Sequence, residues 1–115
     1  MTRVLICGGR DFTDREAVYA SLDSLHAEHR VSLVIAAGAR GAERLATEWA
    51  RGHGVPAEVY EADWQRLGRK AGPLRNARML IEGKPDLVVA FPGGKDTANM
   101  IEQARGAGVR VFAWS

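Results

Sequence analysis

The strongest constraint on the fold is the alternation of short apolar runs with segments of helical periodicity along the 115 residues. Most of these runs stop at a glycine, which is typical of the buried strands of a parallel sheet. Because parallel strands are joined by right-handed crossovers, helices should cover both faces. We therefore predict a three-layer α/β fold with a five-stranded parallel sheet in the order 3-2-1-4-5, forming one domain over residues 1–115. The predicted strands are residues 3–7, 32–37, 57–62, 86–91 and 109–114.

Four helices are predicted between these strands. Thr13 and Glu16 fit a capping box at the start of the first helix. The segment 63–72 is rich in cations and is predicted to be a loop, and Pro73 suits the first turn of the helix that follows it. The third strand is the least apolar, which favours an edge position, and the fourth is the most apolar, which favours a central one. The other helices are predicted at residues 42–51, 73–82 and 97–105.

Composition excludes several classes of protein. The chain is 46% hydrophobic and 26% charged, which indicates a globular domain and argues against disorder. Its apolar runs are far shorter than the roughly 20 residues of a membrane span, and its start lacks the apolar stretch of a signal peptide. A net charge of +2 argues against nucleic acid, and one cysteine excludes an internal disulfide. We therefore expect a cytoplasmic protein without a membrane or metal site.

Three glycine-rich loops follow the first, second and fourth strands, and each precedes a helix. The free N–H groups and the dipole at a helix start suit an anion, most commonly phosphate. Each loop also carries a cation, and we expect the three to converge on one phosphate-bearing ligand at the carboxyl edge of the sheet. The alternative is that the glycines serve only as turns. The candidate phosphate ligands are Gly8, Gly9, Arg10, Gly38, Arg40, Gly41, Arg75, Pro92, Gly93, Gly94, Lys95 and Thr97.

Two familiar nucleotide fingerprints are absent. The first loop does not read G-x-G-x-x-G, and the second strand does not end in an acidic residue for a ribose. These differences argue against an ordinary NAD dehydrogenase. No G-x-x-x-x-G-K-[ST] motif occurs either, which excludes a P-loop NTPase.

The loop sequences resemble those of a known family over essentially the whole chain. They are Gly8-Gly9-Arg10-Asp11-Phe12, Gly38-Ala39-Arg40-Gly41-Ala42, Ala62-Asp63-Trp64, Gly68-Arg69-Lys70-Ala71-Gly72-Pro73-Leu74-Arg75-Asn76 and Phe91-Pro92-Gly93-Gly94-Lys95-Asp96-Thr97. In combination they resemble the YspA-like branch of the SLOG superfamily. The resemblance implies a Rossmann-like domain that binds a nucleotide or a nucleotide-derived ligand, such as an ADP-ribose or NAD derivative. It implies no other cofactor.

Relatives of this branch include the Lonely Guy phosphoribohydrolases, also described as lysine-decarboxylase-like, and the DNA-processing protein A. The Lonely Guy signature resembles R-K-x-x-M followed by P-G-G-x-G-T-x-E-E. Arg75, Pro92-Gly93-Gly94 and Thr97 match it, but Asn99 and Met100 replace the two glutamates. An amide cannot act as a general base or stabilise an oxocarbenium-like centre by charge. We therefore expect little or no hydrolysis.

The remaining carboxylates give only weak catalytic candidates, namely Glu102, Asp11 and Asp63. Trp64 could pack the neighbouring loop or stack on a base. We expect Cys7 to be a small buried core residue.

Our first interpretation is a domain that binds or senses a nucleotide. A nucleotide N-glycosidase of the Lonely Guy type is the alternative, and single-stranded nucleic-acid binding is less favoured. The resemblance also implies two kinds of partner: a second copy of the chain that completes the pocket, and an effector protein that responds to the bound state.

Overall fold

The computed structural model describes residues 1–114 of the chain. Over these residues the sheet has five strands, all parallel, in the order β3-β2-β1-β4-β5. This order confirms the predicted fold class. The strands are β1 (Thr2–Cys7), β2 (Val31–Ala37), β3 (Ala57–Tyr60), β4 (Leu87–Ala90) and β5 (Arg110–Ala113).

Helices cover both faces of this sheet and give the three layers. Side chains alternate along β1, so Val4 and Ile6 belong to the core beside α1 and α2, while Leu5 and Cys7 belong to the core beside α4 and α5. Burial on both faces explains why the strands read as continuous apolar runs. The helices within residues 1–114 are α1 (Arg15–His29), α2 (Ala42–Gly52), α3 (Trp64–Leu67), α4 (Ala71–Gly83) and α5 (Lys95–Gly106).

The start of α1 differs from the sequence prediction. Asp14, not Thr13, is the N-cap, and its carboxylate accepts a hydrogen bond from the N–H of Ala17 at 3.0 Å. Aspartate caps a helix at least as well as threonine, so the chain begins the helix one residue later than the capping-box pattern indicates.

The segment predicted as a cation-rich loop is mostly helical. Asp63 caps the short helix α3, a 3-10 turn spans Gly68–Lys70, and α4 begins at Ala71. Pro73 is therefore the third residue of α4, still within the first turn, where a missing N–H leaves no intrahelical bond broken.

The strand positions follow burial. The exposed strand β3 lies at an edge, as predicted, whereas the middle strand is β1, which is buried from Val4 to Cys7. The fourth strand, expected to be central, lies between β1 and β5. Among residues 1–114, no helix is long and apolar enough to cross a membrane.

Candidate functional site

The loops after β1 and β4 meet where the order of the strands reverses. Because β1 and β4 are paired, their carboxyl ends are neighbours, and the N–H of Gly9 donates to the carbonyl of Pro92 at 2.8 Å. The two loops form the walls of a cleft of about 580 Å³. It is lined by Gly8, Gly9, Arg10, Asp11, Phe12, Pro92, Gly93, Gly94, Lys95, Asp96 and Thr97.

The loop after β2 does not line this cleft, and the convergence of the three loops on one ligand stays a prediction. Gly38 lines an adjoining cavity of about 320 Å³, and Arg40 and Gly41 line a third cleft of about 510 Å³. The reason is the strand order, because β2 lies on the far side of β1 from β4. Arg10 lines all three spaces and joins them.

Glycine at position 41 is explained by the close approach of two loops. Gly41 has a φ of +86°, and a Cβ there would collide with the backbone of Gly9 and Arg10. The position therefore needs glycine whether or not a ligand binds.

Gly93 and Gly94 differ in what surrounds them. A Cβ on Gly93 would collide with the side chain of Thr97 and lie 2.7 Å from the backbone nitrogen of Gly9. A Cβ on Gly94 would meet no atom of residues 1–114 within 4 Å. Of these two glycines, only Gly94 leaves open space in the cleft wall, and it is where a ligand can approach the backbone.

The start of α5 lies at this open space. Gly94 is its N-cap and, within the described chain, supplies no side-chain hydrogen bond to the first turn. The N–H groups of that turn therefore face the cleft, together with the positive end of the helix dipole. Lys95 is exposed beside them and Thr97 is buried, and both line the cleft. This end of the cleft can hold an anion.

Arg75 is buried rather than a surface residue. Its side chain is 8% exposed, its Nε donates to Oδ1 of Asn76 at 3.0 Å, and its Nη2 lies 3.8 Å from Oδ2 of Asp96. Burial lowers the pKa of this guanidinium, while Asp96 and Glu43 oppose that shift. Arg75 lines the 320 Å³ cavity beside Gly38, at the inner wall of the site.

Asn99, which stands where a glutamate occurs in the Lonely Guy signature, belongs to a helix–helix network. Its Oδ1 accepts hydrogen bonds from Nδ2 of Asn76 at 3.2 Å and from Nε2 of Gln103 at 2.6 Å. Asn76 also donates to the carbonyl of Asp96 at 3.1 Å. Asn99 thus joins α5 to α4 and does not line the three spaces described above.

The three weak catalytic candidates lie in different places. Asp11 lines the cleft, and its carboxylate lies 3.5 Å from the guanidinium of Arg40. Asp63 accepts a hydrogen bond from the N–H of Arg66 at 3.1 Å as the cap of α3. Glu102 is exposed on α5. The structure does not bring these carboxylates together.

Sequence reasoning missed Glu43, which is the most unusual polar group of the site. It is 7% exposed, and among residues 1–114 its Oε2 has no hydrogen-bond partner. Burial raises its pKa to about 7. A hydrogen bond from its own backbone and the charges of Arg75 and Arg10 oppose this shift, and Asp96 adds to it. The sequence signal that could have identified Glu43 is its place on the apolar face of α2. It lies three residues before the buried Ala46 and seven before the buried Ala50.

Cys7 and Trp64 also lie near Glu43. Burial and the nearby Glu43 raise the pKa of the Cys7 thiol to about 12, so Cys7 is a core residue and not a nucleophile. The Trp64 side chain is 50% exposed and lines the cavity of Glu43 and Arg75, where its indole is available to a ligand. Within the described residues, no three His, Cys, Asp or Glu side chains lie close enough together to hold a metal ion.

Comparison with known proteins gives one family and one relative. The model of the YspA, cpYpsA-related SLOG family matches residues 2–67, which include the first two glycine loops but not Arg75 or Gly93. The Gene 61 protein of Mycobacterium phage D29 is 40% identical over 120 residues, which cover 97% of this chain and 95% of the phage protein. No solved structure matches the chain.

Proposed function

Because this chain belongs to the YspA, cpYpsA-related SLOG family, we propose that it binds a nucleotide or a nucleotide-derived ligand. The phosphate of this ligand lies in the cleft between the loops after β1 and β4. The observation that best supports the proposal is the start of α5, where Gly94 leaves the backbone open and the first-turn N–H groups face the cleft.

Two exposed cations of the cleft, Lys95 and Arg10, can each reach a phosphate. The two carboxylates of the same lining have partners, since Asp11 lies 3.5 Å from Arg40 and Asp96 lies 3.8 Å from Arg75. A hydrogen bond to a charged group contributes roughly 1.5–3 kcal/mol, and several of these together correspond to micromolar affinity. The half-exposed indole of Trp64 offers a stacking surface for a base in the adjoining cavity.

The positions of the candidate catalytic groups favour binding of the ligand without turnover. Asn99 is held in the network between α4 and α5, while Asp63 caps α3 and Glu102 is exposed. Removing an acid–base group from a catalytic site costs on the order of 10²–10⁴ in rate. The phosphate end of the cleft does not depend on these groups.

A thermal-shift assay with AMP, ADP, ADP-ribose and NAD tests the binding. At a hundred times Kd, a ligand that binds only the folded protein adds about 2.7 kcal/mol to the free energy of unfolding, which raises Tm. Gly94→Val should abolish the rise, because a Cβ there meets no described atom within 4 Å and the branched side chain takes up the space that a ligand needs. Gly93→Val is unsuitable, because it would distort the loop through Thr97 and Gly9.

Gly106→Val is the matched control. It introduces the same side chain at the opposite end of α5, and a Cβ there also meets no described atom within 4 Å. The control should keep the full rise in Tm. If no nucleotide of the panel raises Tm at millimolar concentration, the proposed function is wrong.

Incubation with AMP followed by chromatography for free adenine tests the alternative of an N-glycosidase. We expect no release of adenine above the rate of the buffer. Rapid release would contradict binding without turnover, and Glu43 would then be the first carboxyl to replace, because it lines the cavity next to Arg75.

A further inference from the structure

Glu43 is a carboxyl group at the inner wall of the candidate site with an unsatisfied oxygen. It projects from the first turn of α2 and is buried with Ala42 and Ala46 on the apolar side of that helix. Its Oε2 is enclosed and has no hydrogen-bond partner among residues 1–114. A buried carboxylate in this situation is costly, and one remedy is to hold a proton.

Charged groups from four other parts of the fold line the same cavity as Glu43. They are Arg10 in the loop after β1, Arg75 on α4, Asp96 on α5 and Glu61 after β3. The thiol of Cys7 on β1 is also near but stays protonated. With every carboxyl ionised, the cavity is lined by three carboxylates and two guanidiniums. A proton on Glu43 leaves two negative and two positive charges.

The cavity of Glu43 adjoins the cleft where the phosphate is proposed to bind, because Gly8, Arg10 and Asp96 line both. An anion in the cleft therefore meets an unfavourable potential from the cavity when Glu43 is ionised, and a weaker one when Glu43 carries a proton.

We propose that a phosphate-bearing ligand binds to this site together with a proton, which is held by the carboxyl group of Glu43. This inference rests on the proposed function and adds a residue that controls the affinity of the site for anions. No bond of the ligand is broken; the proton moves from solvent to a carboxylate oxygen of Glu43 on binding and returns to solvent on release.

The direction of the effect follows from linkage between the two events. A bound anion favours the protonated form of Glu43, so the ligand raises the pKa of this group. Below about pH 6 the proton is already present and Glu43 adds no pH dependence. As the pH rises through the pKa of about 7, the proton must be taken up on binding, and affinity falls. We expect binding to be on the order of tenfold weaker at pH 8.5 than at pH 6.

The experiment uses sulfate as the probe, because its charge is constant over this pH range, whereas a phosphomonoester titrates near pH 6. The carboxyl carbon of Glu43 is followed by ¹³C NMR from pH 4.5 to pH 8.5, without sulfate and with saturating sulfate. Sulfate affinity is measured from the amide shifts of Lys95 and Thr97. We expect Glu43 to titrate between pH 6 and 8 and its midpoint to move upward with sulfate.

Two variants separate Glu43 from its surroundings. Glu43→Gln keeps the shape of the side chain and carries no charge, so its sulfate affinity should be independent of pH and equal to the wild-type value at pH 6. At pH 8.5 this variant should bind more tightly than the wild type. Glu61→Gln removes an exposed carboxylate from the same cavity and should keep the pH dependence.

A Glu43 midpoint below pH 5.5, a midpoint that sulfate does not move, or an unchanged pH dependence in Glu43→Gln would overturn the proposal. The absence of sulfate-induced shifts at Lys95 and Thr97 at every pH would overturn it as well. The nucleotide thermal-shift panel decides the proposed function separately, since a nucleotide can bind there without exchanging a proton.

Discussion

Replacing Glu43 with glutamine should change how the stability of the free protein depends on pH. The pKa of this carboxyl rises from 4.5 to about 7 on folding, mainly because of burial. Between these values the folded state binds more protons than the unfolded state, so the wild-type free energy of unfolding falls as the pH rises. One pKa unit corresponds to 1.36 kcal/mol, so the total loss attributable to Glu43 is about 3 kcal/mol.

The glutamine variant has no such proton to lose. Its free energy of unfolding, taken relative to the wild type, should therefore increase by about 3 kcal/mol between pH 4.5 and pH 8. The stabilisation that the protonated carboxyl gives the wild type is present below pH 4.5 and is lost as the pH passes 7.

Urea unfolding, followed by the fluorescence of the fully buried Trp49, measures this difference at a series of pH values. The control is Glu48→Gln on the same helix, because replacing a partly exposed carboxylate in a surface ion pair changes stability by about 0–1 kcal/mol. A constant difference between Glu43→Gln and the wild type from pH 4.5 to pH 8 would refute the reasoning.

Three further predictions follow from the contacts around the site. Arg75→Ala should abolish the nucleotide-induced rise in Tm. It should also lower the free energy of unfolding by about 3 kcal/mol at pH 8 and by less at pH 5, where Glu43 is protonated. Urea titrations at both pH values measure this loss. Gly41→Ala should cost about 1–3 kcal/mol or more, measured by thermal unfolding, because of its φ of +86° and its contact with Gly9. Asn99→Ala should lower the free energy of unfolding by about 1–3 kcal/mol in urea titrations, because it leaves the amides of Asn76 and Gln103 without this acceptor, and an unchanged stability would contradict the role given to the amide.

The fold could be predicted from the sequence because its strands are buried on both faces. Runs such as residues 33–37 are apolar throughout and stop at glycine, so both their number and their alternation with helices are visible. The errors are local. Asp14 and Thr13 are both suitable N-caps of α1, and the sequence does not show which of them occupies the cap position. In residues 63–72 the cations and Gly68 obscure a short helix that Asp63 caps.

The candidate site was predictable where it depends on strand order and not where it depends on side-chain burial. The pairing of β1 with β4 brings the first and third glycine loops together, as expected. The same order places the loop of Arg40 on the other side of β1, where it lines a separate cleft that the loop sequences alone do not indicate. Glu43 could not be predicted because it is one carboxyl of an amphipathic helix in the sequence, and its place beside Arg10 and Arg75 arises only when the helices are packed.

The bond between Gly9 and Pro92 joins parts of the chain that are more than 80 residues apart. The cleft is therefore a late product of chain synthesis, since one wall is made at the beginning and the other only after β4 has left the ribosome. Its two loops extend from adjacent inner strands, so the cleft cannot open by fraying at an edge. A ligand held there should raise the free energy of amide hydrogen exchange in β1 and β4 by as much as it raises the global free energy of unfolding. Exchange at the edge strand β3 should stay nearly unchanged.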